Sequence, residues 1–435
     1  MKKEIYLDNA AATPVNEKVL KTMEPFSNIF YGNPSSFNDA GRQARKALDQ
    51  SRRVIARFLG AQDREIIFTG SGTEANNMAI LGLIKAVQGL STTNYQSRSP
   101  RDRGFSIKSE LPISNKRKPH VITTKIEHPS VLRPIQYLEK TGQVCATYLP
   151  VDKNGIIKLD DLKKALRPET ILISIIYVNN EIGSVQPIKK ISKFLKEFKS
   201  SKFQGSRFKL IFHIDACQAT GYLDMNVNNL GVDLMTINSS KIHGPKGIGA
   251  LYIRQGTPIQ PLVLGGGQEG GLRSGTENVA GIVGLAEAIE IIQKSKLKNQ
   301  NFNSKLKSFK SYFIENILRS IPNARINGNV DESVPHIISI TIPDIEAEAV
   351  LLMLDKYGIR ASAGAACSAH DMEVSHVLTA IGLSKKDARA TLRFSLGRQN
   401  AKEEVDYVIK ILPKVVKEFH RLYPENLKNS YYIKS

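Results

Sequence analysis

Tryptophan is absent from the 435 residues, and cysteine occurs only three times, at Cys145, Cys217 and Cys367. No two cysteines form a Cys-x-x-Cys pair. That excludes a disulfide framework and a self-contained zinc or iron–sulfur site, and it fits a reducing compartment. Long apolar runs are missing too. With 41% hydrophobic residues and no apolar stretch near twenty, the chain reads as soluble rather than membrane-spanning. The N-terminal Met1-Lys2-Lys3-Glu4-Ile5-Tyr6-Leu7-Asp8 carries neither an apolar signal core nor an Arg/Ser-rich transit segment, so a cytoplasmic location is expected. Acidic residues are scarce relative to basic ones: 41 Asp and Glu against 61 Lys and Arg leave a formal net charge of +20. The basic residues are scattered, and no aromatic–basic stripe for stacking bases is visible. The excess points to an acidic partner or to no specific meaning, and away from direct nucleic-acid binding.

What is present is organised around Met235 to Arg254. This stretch reads as a buried strand, a polar turn holding Lys241, a bend built on Gly244, Pro245, Gly247 and Gly249, and a second apolar strand. A lysine fixed between buried strands is partly desolvated, which suits it to form a Schiff base. The same spacing also describes an exposed lysine in a hairpin turn.

Along the rest of the chain, strands alternate with helices. Gly41 to Leu59 is an amphipathic helix with Ala44, Leu48, Ile55 and Phe58 at helical spacing. Glu65 to Ile80 runs strand, glycine-rich turn, helix. Thr73 and the amides after it form either a phosphate site at a helix start or an ordinary capped turn. Residues 89–118 lack hydrophobic periodicity and are expected to be a flexible, basic surface insertion. His128, Asn180 and Asp215 each stand at or just beyond the end of an apolar strand. Cys145 alternates within a strand and is expected in the core.

The alternation implies a largely parallel sheet covered on both faces, with Thr73, His128, Asn180, Asp215 and Lys241 at one edge. Beyond about residue 300 the pattern turns α+β. A small-residue loop there is tipped by Cys367, and Arg393 sits within an apolar strand, a setting where a charge usually meets an anion. The expected fold is α/β, with a large domain over 16–260 and a smaller α+β domain from 1–15 and 261–435.

A Schiff-base lysine, a carboxylate for a pyridinium nitrogen, a ring-stacking residue and a helix-start phosphate site are what pyridoxal phosphate requires. The chain resembles the cysteine desulfurases of the NifS/IscS kind, within the class V aminotransferase group of fold-type I enzymes. The resemblance rests on Tyr6 to Ala11, Gly32 to Ser36, Glu127-His128, Val178 to Gly183, His213 to Gln218, Lys241 to Arg254, Arg273 to Thr276 and Arg393 to Arg398. It spans nearly the whole length. It implies Lys241 as the covalent anchor of pyridoxal phosphate and proton carrier, Asp215 on the ring nitrogen, His128 as a catalytic residue stacked on the ring and able to shuttle protons, and Gln218 on the ring oxygen. It implies Gly72 and Thr73 around the phosphate, Asn238 and Ser240 in the same region, and Thr276 reaching across from a second subunit of a homodimer. Arg393 clamps the substrate carboxylate in this reading, with Asn33 on the substrate side and Asn180 touching both cofactor and substrate.

The resemblance further implies that Cys367 takes sulfur from L-cysteine, leaving alanine and a persulfide. The sulfur then passes to an acceptor such as an iron–sulfur scaffold, where Cys367 could also be a transient cluster ligand, or to tRNA thiolation. No resident metal is expected. Cys217, beside Asp215, is expected to pack.

Several positions depart from the family pattern. Ser240 stands where the family has histidine and Asn238 where it has serine. Gly270 replaces a frequent arginine, Asn38 a common histidine, and Ala363-Gly364-Ala365-Ala366 a serine-rich run. The competing readings are another enzyme of the same fold, an aminotransferase or selenocysteine lyase, and a weakened cofactor-binding protein acting as a basic docking platform. Cys367 opposes a plain aminotransferase. The joint presence of Lys241, Asp215, Cys367 and Arg393 opposes the docking platform.

Overall fold

The computed structural model describes residues 4–89, 118–202, 210–297, 302–364 and 374–424. All but the two ends of the insertion expected at 89–118 lies outside the described residues, and so does Cys367.

Thirteen strands are described, in chain order β1 (Ile5–Tyr6), β2 (Ile66–Thr69), β3 (His120–Thr124), β4 (Cys145–Leu149), β5 (Thr170–Ile176), β6 (Ile211–Asp215), β7 (Leu234–Asn238), β8 (Gly249–Ile253), β9 (Arg325–Ile326), β10 (Ile337–Thr341), β11 (Ile359–Arg360), β12 (Ser362–Ala363) and β13 (Thr391–Ser395). The central sheet has the order β2-β8-β7-β6-β5-β3-β4. Its β7, β6, β5, β3 and β4 are mutually parallel, and β8 alone runs against its neighbours. The apolar, β-branched runs of β5 and β6 are buried throughout, as strands covered on both faces must be.

At the edge the expectation for Cys145 fails. It is exposed, because β4 pairs only with β3 and its first residues face solvent. Alternation within a strand does not distinguish a core strand from an edge.

The helix Asp39–Leu59 follows the apolar spacing read from sequence, with Ala44, Leu48 and Ile55 fully buried. Asn38 caps it by accepting the Gly41 amide at 2.9 Å, and Gly60 ends it in the left-handed region, φ 66°. The helix Val279–Leu297 packs against it and sends Ile282, Leu285, Ala288, Ile289 and Ile292 into the core around the central sheet. A boundary at residue 260 would separate this helix from the core it fills. On that packing we propose that the larger unit extends through Leu297.

A second core forms between the sheet β12-β13-β10-β9 and the helices Phe302–Ser320, Ala347–Lys356 and Lys402–Leu422. Ile5 and Leu7 belong to it, through β1 paired with β11, while Ala10 lies in the first core. The segment from Ile5 to Ala10 therefore crosses between the two cores, beside the ends of β6, β7 and β13.

Candidate active site

The β7–β8 hairpin positions Lys241. Antiparallel pairing from Leu234↔Ile253 to Asn238↔Gly249 fixes the register, and a single 3-10 turn, Ser239–Lys241, leaves the sheet edge. Gly244 closes the turn so tightly that a Cβ there would lie 2.1 Å from Ser239 Oγ. His243 adopts φ 61°, rare for a side chain with a Cβ. It is held there by donating its amide to Thr13 Oγ1 at 2.7 Å, with Nδ1 3.0 Å from the Pro14 carbonyl. Thr13 in turn donates to the Ser240 carbonyl. The turn is thus clamped to the crossing segment, and Lys241 Nζ donates to the carbonyls of Ala10 at 3.0 Å and Ala11 at 2.5 Å.

Asp215 ends β6 with its carboxylate buried, accepting from Asn76 Nδ2 at 2.8 Å and from the Cys217 amide at 3.0 Å. Asn76 lies on the helix Gly72–Asn77 and also donates to Ser130 Oγ at 2.8 Å. Ser130 Oγ is 2.7 Å from His128 Nδ1, and the Ser130 amide donates to the same nitrogen at 3.1 Å. Burial holds the His128 ring below the usual histidine pKa, with Lys241 and His376 acting the same way and Asp215 opposing them. Cys217 behaves as a packing residue: burial, then Asp215, pushes its thiol well above the ordinary range. Its Sγ would be 2.8 Å from a Cβ at position 72, so only glycine fits there. Gln218 donates to the Ala10 carbonyl at 2.8 Å.

Arg393, on β13, is 2% exposed and donates to Asp8 Oδ1 at 2.9 Å and to the Asn180 carbonyl at 3.0 Å. Its buried Nε has no partner among the described residues. Two carboxyl groups to which the sequence reading gave no role lie nearby, Glu181 in the field of Arg393 and Glu127 in that of Asp215. Glu181 accepts from Ser375 Oγ at 2.5 Å, and burial pushes its pKa up to about 7. Glu127 accepts from Thr124 Oγ1 and the Ile176 amide, and burial pushes it up to about 8. Asn76, Ser130 and Asp8 were likewise missed. The available signal was polarity just past the strand ends: Glu127 three residues after β3, and Glu181 five residues after β5.

Most of these groups, though not Glu127 or Asp8, line one cleft of about 820 Å3. Lys241 and the expected cofactor residues Gly72, Thr73, His128, Asp215, Gln218 and Asn238 line it. Asn180 and Arg393 of the expected substrate set line it too, together with Glu181 and Ser375. Among the described residues, three expected ones do not. Asn33 is exposed, its Oδ1 accepting the Ser35 amide; Thr276 is exposed in the glycine-rich loop; Ser240 turns its backbone toward Thr13. Val374 and Ser375, just after the undescribed residues that include Cys367, line the cleft.

The donor set fits pyridoxal phosphate. A buried carboxylate suits a pyridinium nitrogen, a lysine amine sits in reach of the same cleft, and an arginine with an unsatisfied Nε suits a carboxylate.

Comparison with known proteins points the same way. The family described as class-V aminotransferase matches residues 5–94 and 107–408. A protein of Dictyoglomus turgidum named cysteine desulfurase IscS is 42% identical over 424 residues, covering 98% of this chain and 97% of its own. One of Methanosarcina thermophila, of the same name, is 39% identical, covering 97% and 94%. A solved structure titled NifS-like protein superposes with a TM-score of 0.81 at 32% identity, over 96% of this chain and all of its own.

Proposed function

The chain belongs to the class-V aminotransferase family, within which it is a cysteine desulfurase, and from that premise we propose that its cleft holds pyridoxal phosphate and that Cys367 receives the sulfur. The observation that carries this reading is the convergence of Lys241, Asp215, His128 and Arg393 on one cleft from four separate parts of the chain.

Lys241 would supply the amine that holds the cofactor, and Asp215, fixed by Asn76 and the Cys217 amide, would keep the ring nitrogen protonated. When bound, the cofactor supplies an electron sink for bonds broken at the substrate. Gly72 and Thr73 would hold its phosphate, Gln218 its ring oxygen, and His128 its ring face. Asn238 would border the phosphate end, whereas Ser240 contributes through the backbone of the turn. Arg393 binds the L-cysteine carboxylate with its planar fork, steadied from behind by Asp8 and the Asn180 carbonyl. Lys241, close to the Ala10 and Ala11 carbonyls, moves the α-proton.

In the net reaction the substrate C–S bond breaks, an S–S bond to Cys367 forms, and the carbon takes a proton. L-cysteine and the Cys367 thiol give L-alanine and a Cys367 persulfide. The persulfide passes to an acceptor, an iron–sulfur scaffold protein or the tRNA thiolation machinery. A homodimer completes the site in this reading. Exposed Ile29, Tyr31 and Phe37 flank Asn33, and exposed Leu264 lies in the loop bearing Thr276, which supports a second copy covering both.

The test uses purified protein with L-cysteine and a reductant, measuring sulfide and alanine. Wild type should release both, and Lys241→Ala neither. Alanine released equally by Cys367→Ala would overturn the persulfide step. Failure of the protein to acquire the visible absorbance of bound pyridoxal phosphate would overturn the cofactor reading.

A further inference from the structure

The hydrogen bonds behind His128 determine where its proton sits. The Ser130 amide can only donate, and it points at His128 Nδ1 at 3.1 Å, so Nδ1 carries a lone pair. The Ser130 hydroxyl is 2.7 Å from the same nitrogen. Its oxygen accepts from Asn76 Nδ2 at 2.8 Å, which leaves the hydroxyl proton to donate to Nδ1. Asn76 is oriented in turn by Asp215, 2.8 Å from the same Nδ2, since a carboxylate demands the amide's donor end. Every link is buried or nearly so, and every link has one permitted direction.

We propose that Ser130 and Asn76 are positioning residues that relay the Asp215 carboxylate to His128 and lock its neutral ring with the proton on Nε2. This rests on the cofactor-site reading only for its consequence in turnover; the relay itself is a property of the chain without cofactor. The consequence is that neutral His128 offers the cleft a hydrogen-bond donor and not a base, so proton acceptance falls to Lys241. Protonating the ring requires placing a proton on Nδ1 against two donors, which opposes the imidazolium form. The charged and titratable groups that face the ring are Asp215 from β6, Lys241 from the turn after β7 and His376 from the helix His376–Ala380. Lys241 and His376 also disfavour the charged ring, and Asp215 favours it.

The test is 15N NMR of histidine-labelled full chain, with cofactor and after its removal, the His128 signals being assigned by loss in His128→Gln. The expected wild-type result is an unprotonated Nδ1 and a protonated Nε2 near neutral pH. In Ser130→Ala the ring pKa should rise by about half to one unit, the effect of losing one neutral hydrogen bond that favours the uncharged ring. Ser130→Thr, which keeps the hydroxyl, should restore the wild-type value. A neutral ring protonated on Nδ1 in wild type would overturn the proposal, as would a pKa unmoved by Ser130→Ala. Both readouts hold in cofactor-free protein, so failure of the cofactor reading is seen separately, as missing visible absorbance.

Discussion

Single residues in this site are set by burial as much as by neighbours. Arg393 is the clearest case, since a guanidinium so deeply placed needs both Asp8 and an incoming anion. Arg393→Lys keeps the charge but not the fork. It should lower kcat/KM for L-cysteine on the order of a hundredfold, mostly through KM, in steady-state assays. Glu127 makes a different prediction. Its folded pKa, about 8, lies above the ordinary 4.5, so the folded chain holds a proton there that the unfolded chain has lost. The stability this contributes is complete below about pH 4.5 and declines as pH rises through about 8. Glu127→Gln should flatten that decline in urea melts across the same range. Buried His213 acts in the opposite sense: its pKa is lowered to about 4, so stability falls as pH drops from about 6.5 toward 4. Measuring above about pH 6.5 isolates the Glu127 slope from it.

At the scale of elements, the hairpin carrying Lys241 depends on two glycines for different reasons. Gly247 has φ 76° with open space around it, so Gly247→Ala meets only backbone strain, about 1 kcal/mol. Gly244 faces Ser239 Oγ, and a Cβ 2.1 Å away forces the turn to move. Gly244→Ala should cost about 1–3 kcal/mol in denaturant melts and weaken cofactor binding, whereas Gly247→Ala should leave binding intact. Both glycines were legible in the sequence as turn-makers, because the chain's local freedom is a local property. Their different roles were not, because the collision at Gly244 comes from how the turn folds back on itself. The edge position of β4, which exposes Cys145, was hidden for a related reason: strand order is not written in any one strand.

For the whole molecule, the crossing segment Ile5 to Thr13 joins both cores to the cleft. β1 pairs with β11, Leu7 accepts the Ser395 amide at 2.6 Å, Asp8 holds Arg393, and Ala10 and Ala11 receive Lys241. Deleting residues 1–11 should abolish cofactor absorbance while leaving the far-ultraviolet helical signal largely in place. The central sheet and its helices contribute most of that signal, and the segment supplies only β1. Retained absorbance in a folded, truncated chain would show that the segment does not organise the site.

The sequence by itself determined the residue types at the strand ends, the glycine-rich turns, the α/β class and, through the resemblance, the family. These are encoded by short spacings and by composition. Tertiary structure decided what those residues meet. It turned Asn38 into a helix cap, put Asn76 between Asp215 and Ser130, paired Arg393 with Asp8, and left Asn33, Ser240 and Thr276 off the cleft lining. The physical reason is that hydrogen bonds and desolvation act over a few ångströms in space, between residues such as Asp8 and Arg393 that stand 385 positions apart in the chain.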